Sequence, residues 1–245
     1  MSGFLHGLRM SLSRQFLFLC LLALASASAW AARPMTTDDA RIVDTKACQV
    51  ESWVRVNRQD PNTFWAIPGC SPVENLELSW GGAQERQHGQ TRLSDSLAQG
   101  KLVLRPLKTN DWGLAMTLGR ALDRGLEPGN HTTPSNYLNV PLSFSRRDDA
   151  LLLHLNLGLR NDRLAQKTHA TWGAATELQL RPGLQFIAES HGESGRRAFL
   201  HGGLRYWLVP DRVQLDATYG TEMRAGTSQR WISFGVRLLT PAFLP

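Results

Sequence analysis

Residues 150–160 read ALLLHLNLGLR, and no other feature of the chain restricts its fold as strongly. Leu151, Leu153, Leu155, Leu157 and Leu159 share one parity. Leu152, His154, Asn156, Gly158 and Arg160 share the other. Side chains of an extended strand alternate between its two faces, whereas helical geometry would mix the two sets. The segment is therefore expected to be a strand with one wholly aliphatic face and one largely polar face. The aliphatic face must meet either a protein core or lipid.

The same alternation recurs along the chain. Trp112, Leu114, Met116 and Leu118 oppose Asp111, Gly113 and Thr117. Leu138, Val140, Leu142 and Phe144 oppose Asn139, Ser143 and Ser145. Trp172, Ala174, Leu178 and Leu180 oppose His169, Thr171, Glu177 and Gln179. The pattern continues through 198–208, 213–222 and 229–239. Shorter versions occupy 47–57, 73–81, 99–107 and 184–191, and a weaker one occupies 63–68. This predicts twelve strands, most of them nine to twelve residues long. Strands of soluble sheets average about 5–6 residues, whereas a tilted membrane-spanning strand needs about 9–11.

The connections alternate in length. Residues 108–110, 146–149, 181–183 and 209–212 are short and rich in turn formers. Residues 82–98, 122–136, 161–168, 192–197 and 223–228 are longer. Transmembrane barrels have short periplasmic turns and longer outer loops. The expected fold is thus all-β: a transmembrane antiparallel β-barrel of about twelve strands in an up-and-down meander, with both chain ends on the periplasmic side. A mean hydropathy of −0.26 excludes a polytopic helical membrane protein and suits a barrel, whose polar and apolar faces average out.

Arg9 and Arg14 precede an apolar run, Phe16 to Ala25, followed by small residues and the A-x-A sequence Ala29-Trp30-Ala31. That is the layout of a secretory signal peptide. The expected organisation is a cleaved signal over 1–31, a periplasmic N-terminal segment over 32–46 and an outer-membrane barrel over 47–245. The implied location is the outer membrane of a Gram-negative bacterium. Cleavage takes Arg9 and Arg14 and no acid, lowering the formal charge from +6 to +4. The arginines are scattered singly, so the basic balance reads as solvated or lumen-facing charge and not as a nucleic-acid surface. Cys48 and Cys70 are the two cysteines left after cleavage, and an oxidising compartment makes them a disulfide candidate. Cys48 falls at the start of the first strand and Cys70 in the predicted turn after the second, on the same side of the barrel.

The inner face is expected to carry Glu51, Arg55, Glu77, Lys101, Arg105, His154, Arg160, Glu177, Glu189, Arg205, Asp216 and Arg237. An unpaired charge is costly inside a narrow barrel, so these groups should pair with one another. A lumen packed with salt bridges and a charged narrow pore are both compatible with this set. Trp53, Trp207 and Trp231 also fall on the inner face. His191-Gly192-Glu193-Ser194 brings a His, an acid and a Ser together, but in a predicted outer loop where polar residues are expected anyway. No catalytic residue, metal site or cofactor is assigned, and the expected partners are outer-membrane lipids and small solutes.

The stretch Arg33-Pro34-Met35-Thr36-Thr37-Asp38-Asp39-Ala40, followed by Gln49-Val50-Glu51 opening a strand, resembles the mature start of the phenol meta-pathway degradation family of outer-membrane barrels. The segment Gly203 to Asp211 resembles that family's penultimate hairpin. The resemblance implies a channel-like role toward small organic or aromatic compounds; it does not imply an enzyme, and no substrate site is carried over. The Thr-Asp-Asp stretch is expected to act as a plug or cap of the lumen.

Overall fold

The structure is a computed structural model that describes residues 35–87, 89–124, 132–163, 166–224 and 230–245. The signal segment, its A-x-A sequence and the tips of several long connections lie outside the described residues.

Twelve strands follow in chain order: β1 Cys48–Asn57, β2 Asn62–Val73, β3 Leu76–Gln87, β4 Gln90–Arg105, β5 Trp112–Arg124 and β6 Thr132–Arg146, then β7 Leu151–Asp162, β8 Lys167–Arg181, β9 Leu184–Glu193, β10 Phe199–Val209, β11 Val213–Glu222 and β12 Arg230–Leu239. Each pairs antiparallel with its neighbour in sequence, and β1 pairs with β12 to close the ring. The result is a closed up-and-down barrel that leaves no sheet edge unpaired.

The period-two reading of the sequence places the two faces. In β7, Leu157 is 71% exposed on the outside, while its neighbour Asn156 is 5% exposed and points inward. Trp80, Leu118, Leu180, Leu208 and Phe234 continue the exposed outer apolar face. The interior of the turn end is filled with buried polar groups, among them Glu177, Arg205, Gln214, Asp216 and Arg237.

Three expectations are corrected. First, residues 82–98 do not form a long loop. They continue β3 and β4 as a tall hairpin in which Gly82 opposes Ser96 and Glu85 opposes Arg92. Polar residues dominate both faces over 84–92, so period-two alternation carries no signal there. Second, Cys70 lies within β2, directly opposite Cys48, because β2 continues to Val73. The two are joined by a disulfide with a Cα–Cα distance of 4.0 Å. Third, Arg105 does not face the lumen. A bulge at Leu104 makes Val103 oppose Ala115 and Arg105 oppose Leu114. The extra residue flips parity, so Arg105 emerges on the outer side. There it lies over the Trp112 ring, 4.1 Å from its centroid, and pairs with Asp111 at 2.8 Å.

Candidate functional site: a lumen filled by the N-terminal segment

Residues 35–44 form no strand or helix. They run through the lumen, and their backbone is held by side chains that the strands point inward. Thr36 and Thr37 donate their N–H groups to the two oxygens of Glu189, at 2.8 and 2.7 Å. Asp38 donates its N–H to Asn156 Oδ1 at 2.8 Å, and Asn156 Nδ2 donates back to the Asp38 carbonyl at 2.7 Å. Ala40 donates to Ser143 Oγ at 2.9 Å, and Val43 donates to Glu77 Oε2 at 3.0 Å. Buried backbone amides need partners, and here carboxylates, an amide and a hydroxyl on β9, β7, β6 and β3 supply them.

Charge fixes the segment as well. Lys101 Nζ lies 2.7 Å from Asp38 Oδ1 and 3.0 Å from Asp39 Oδ1. Thr117 donates to the second oxygen of Asp38 at 3.2 Å. Arg41 reaches Asp149 at 3.6 Å. Shape completes the fit. Gly173 on β8 faces Thr37, and a Cβ there would come 2.5 Å from Thr37 Oγ1. Ala40 packs against Val103 and Ala115.

The segment leaves the lumen at a turn. Ala47 N–H donates to the Asp44 carbonyl at 2.9 Å, and Lys46 takes a left-handed backbone conformation with φ 68°. This exit is tied down from two directions. Lys46 N–H donates to the Ser71 carbonyl, and the Lys46 carbonyl accepts from Phe243 and Leu244. The Cys48–Cys70 disulfide follows at once.

Eleven of the twelve residues expected inside are on the inner face, and they divide into three groups. Glu77, Lys101 and Glu189 bind the N-terminal segment. Glu177, Arg205, His154, Glu51, Arg237 and Asp216 form the packed floor. Glu177 pairs with Arg205 at 2.8 Å, and its other oxygen lies 3.5 Å from His154 Nε2. Arg237 sits 3.7 Å from Glu51 and donates to Gln49 Oε1 at 2.6 Å. Arg55 and Arg160 stand higher: Arg55 lies 3.9 Å from the Trp231 ring centroid, and Arg160 lies 3.5 Å from Glu193. Pairing among the strand charges is thus partial, because much of it is directed at the N-terminal segment.

Ser143, His154 and Glu177 occur in the order of a catalytic relay, with Ser143 Oγ 2.8 Å from His154 Nδ1. All three are sealed from solvent, and Ser143 Oγ already accepts the Ala40 N–H. In this arrangement they hold the segment in place. Ser194 also lacks the arrangement of a nucleophile: its Oγ accepts the Ala170 N–H at 3.1 Å, while His191 stacks on Phe199. Among the described residues, no group of three or more His, Cys, Asp or Glu is arranged to hold a metal ion.

Between the N-terminal segment and the wall of β1–β5, and onward to the loop end, lies a cavity of about 630 Å³. Its upper part is lined by Trp53, Trp65, Tyr137, Phe199, Arg160, Arg196 and Arg197. Trp53 and Trp65 are directly opposed on β1 and β2, and their rings stack 5.2 Å apart at 4°. Trp65, Tyr137, Arg196 and Arg197 are additions to the set expected from sequence. Trp65 sits in the weakest strand pattern, and the two arginines sit in a loop, where parity has no meaning.

A family model described as "Uncharacterised conserved protein UCP029691" matches residues 20–239. That description does not name the phenol meta-pathway group that the N-terminal stretch resembles. No curated protein matches the chain. Among solved structures, the KdgM porin in complex with disordered oligogalacturonate is similar at 12% identity and a TM-score of 0.59, over 78% of this chain and 98% of that one. The NanC porin is similar at 10% identity and a TM-score of 0.54, over 79% of this chain and 98% of that one. These likenesses are of fold.

Proposed function

We propose, for a chain that belongs to the UCP029691 family of uncharacterised conserved proteins, the function of an outer-membrane channel for small solutes that is closed by its own N-terminal segment. The observation that carries this reading is the division of the lumen. Residues 36–43 occupy one side of it, docked on buried polar side chains, and a cavity runs beside them and widens toward the arginine-lined loop end. A barrel built only for structure has no need of a cavity lined along its length by a separately held strip of chain.

The outer surface supports this location. Strands of 10 to 16 residues meet the length needed to cross a bilayer, and a continuous outward apolar face is stable only against hydrocarbon. In this reading residues 1–31 export the chain and are removed. The described part of the N-terminal segment, residues 35–46, enters the lumen from the periplasmic side, and the cavity opens to the exterior of a Gram-negative cell. The fold shared with the KdgM and NanC porins supports passage of small organic solutes. Channel function, not catalysis, is the reading best served by these residues.

Planar-bilayer recording tests it. The mature chain should conduct rarely or weakly. The chain lacking residues 33–44 should show discrete, larger single-channel steps. If both variants, folded by heat-modifiable migration, stay silent, the channel reading fails and a non-conducting barrel that presents its outer loops takes its place. The charge-packed floor would then be its explanation.

A further inference from the structure

We infer that the loop-end part of the cavity is a binding site for a small aromatic carboxylate, a flat ring with one anionic end. This deepens the channel reading and rests on it for its biological sense. Three observations converge.

The first is a rigid aromatic wall. The stacked Trp53–Trp65 pair holds two indoles in one orientation along the cavity, and Phe199 lines it from β10. Fixed aromatic surfaces favour flat apolar partners through offset or edge contacts.

The second is uneven charge. Arg160, Arg196 and Arg197 line the upper cavity with one carboxylate among them, Glu193. Glu193 is shared, lying 2.7 Å from Arg196 and 3.5 Å from Arg160. Among the described residues Arg197 pairs with no acid, and it is exposed at the mouth. Three guanidiniums against one carboxylate attract an anion and repel a cation. The planar donor fork of arginine matches a carboxylate in bidentate fashion.

The third is placement. β1 and β7 are six strands apart in either direction around the twelve-strand ring, so Trp53 and Arg160 stand across the lumen from each other. A ligand seated here therefore meets the Trp53–Trp65 wall on one side and Arg160 on the other, with Arg196, Arg197 and Phe199 at the β9–β10 connection between them. The cavity, about 630 Å³ over its whole length, has room there for a small molecule with some water.

The test is equilibrium binding to the full mature protein in detergent micelles, by calorimetry and by quenching of tryptophan fluorescence. The probes are benzoate, benzyl alcohol, benzylammonium and acetate. Benzoate should bind at least tenfold more tightly than each of the other three, and should weaken as salt is raised. Arg197→Gln should weaken benzoate several-fold and leave benzyl alcohol unchanged. Trp65→Leu should weaken both. Arg197 lies in an exposed loop, so its replacement leaves the barrel intact, which heat-modifiable migration verifies. Equal binding of benzoate and benzyl alcohol, tighter binding of benzylammonium, or no binding of any probe overturns the inference. No membrane potential enters this assay. A barrel that binds benzoate but never conducts sinks the channel reading alone, and one that conducts without discriminating among the probes sinks this inference alone.

Discussion

Lys101 on β4 and Asp38 of the N-terminal segment meet inside the barrel with Nζ 2.7 Å from Oδ1, 63 residues apart in sequence. Asp39 completes the pair of acids around the same ammonium at 3.0 Å. Removing one member of a buried ionic cluster leaves the others uncompensated, which costs about 3–5 kcal/mol. The barrel wall does not depend on this cluster, but the docked segment does. Lys101→Met should therefore release the segment without unfolding the barrel. A Thr37→Cys thiol, buried in the native protein, should then react with a water-soluble maleimide at least tenfold faster. Unchanged reactivity would show that backbone contacts alone hold the segment.

Glu189 accepts two consecutive backbone N–H groups, from Thr36 and Thr37, and lies 2.9 Å from His201 Nδ1. A glutamine has the same size but only one acceptor oxygen. Glu189→Gln should weaken docking by about 1–3 kcal/mol, the cost of a buried donor left unsatisfied. Single-channel recording should show a higher open probability with the size of the conductance step unchanged.

Gly173 tests the same docking by shape. Any side chain there enters the space of Thr37 Oγ1. Gly173→Val should expel the segment as effectively as Lys101→Met while changing no charge. Ion selectivity should then remain that of the chain lacking residues 33–44.

The Cys48–Cys70 disulfide joins two directly opposed residues at the root of the segment and closes a separation of 22 residues. Such a link stabilises mainly by restricting the unfolded chain, by about 2–4 kcal/mol. The Cys48→Ser, Cys70→Ser double variant should lose heat resistance in a gel-shift assay by several degrees. It should keep the benzoate affinity of the parent, because neither cysteine lines the cavity.

Arg105 provides the negative control. It is exposed, stacks on Trp112 and pairs with Asp111 in water. Exposed pairs contribute little because solvent screens them. Arg105→Ala should leave both ion selectivity and heat resistance unchanged, whereas Arg160→Ala should lower anion preference.

Much of this protein was legible in the order of its residues. Strand number, strand direction and the two faces follow from a period of two, because a pleated backbone sends every second side chain to the same side. That rule is local, so it held wherever pleating was regular, as along Leu151 to Arg160. It failed where one residue was added, at Leu104, and Arg105 came out on the wrong face. It was silent where both faces are polar, so the tall β3–β4 hairpin read as a loop. Opposition of Cys48 and Cys70 required only antiparallel neighbours, although Cys70 proved to lie in a strand and not in a turn. The threading of residues 36–43 through the lumen was decided by tertiary structure. Five of its amides, those of Thr36, Thr37, Asp38, Ala40 and Val43, are matched to side chains 34 to 153 residues away, on whichever strand the closed ring brings near. No periodicity encodes such contacts, because they exist only once twelve separate faces have been turned toward a common axis.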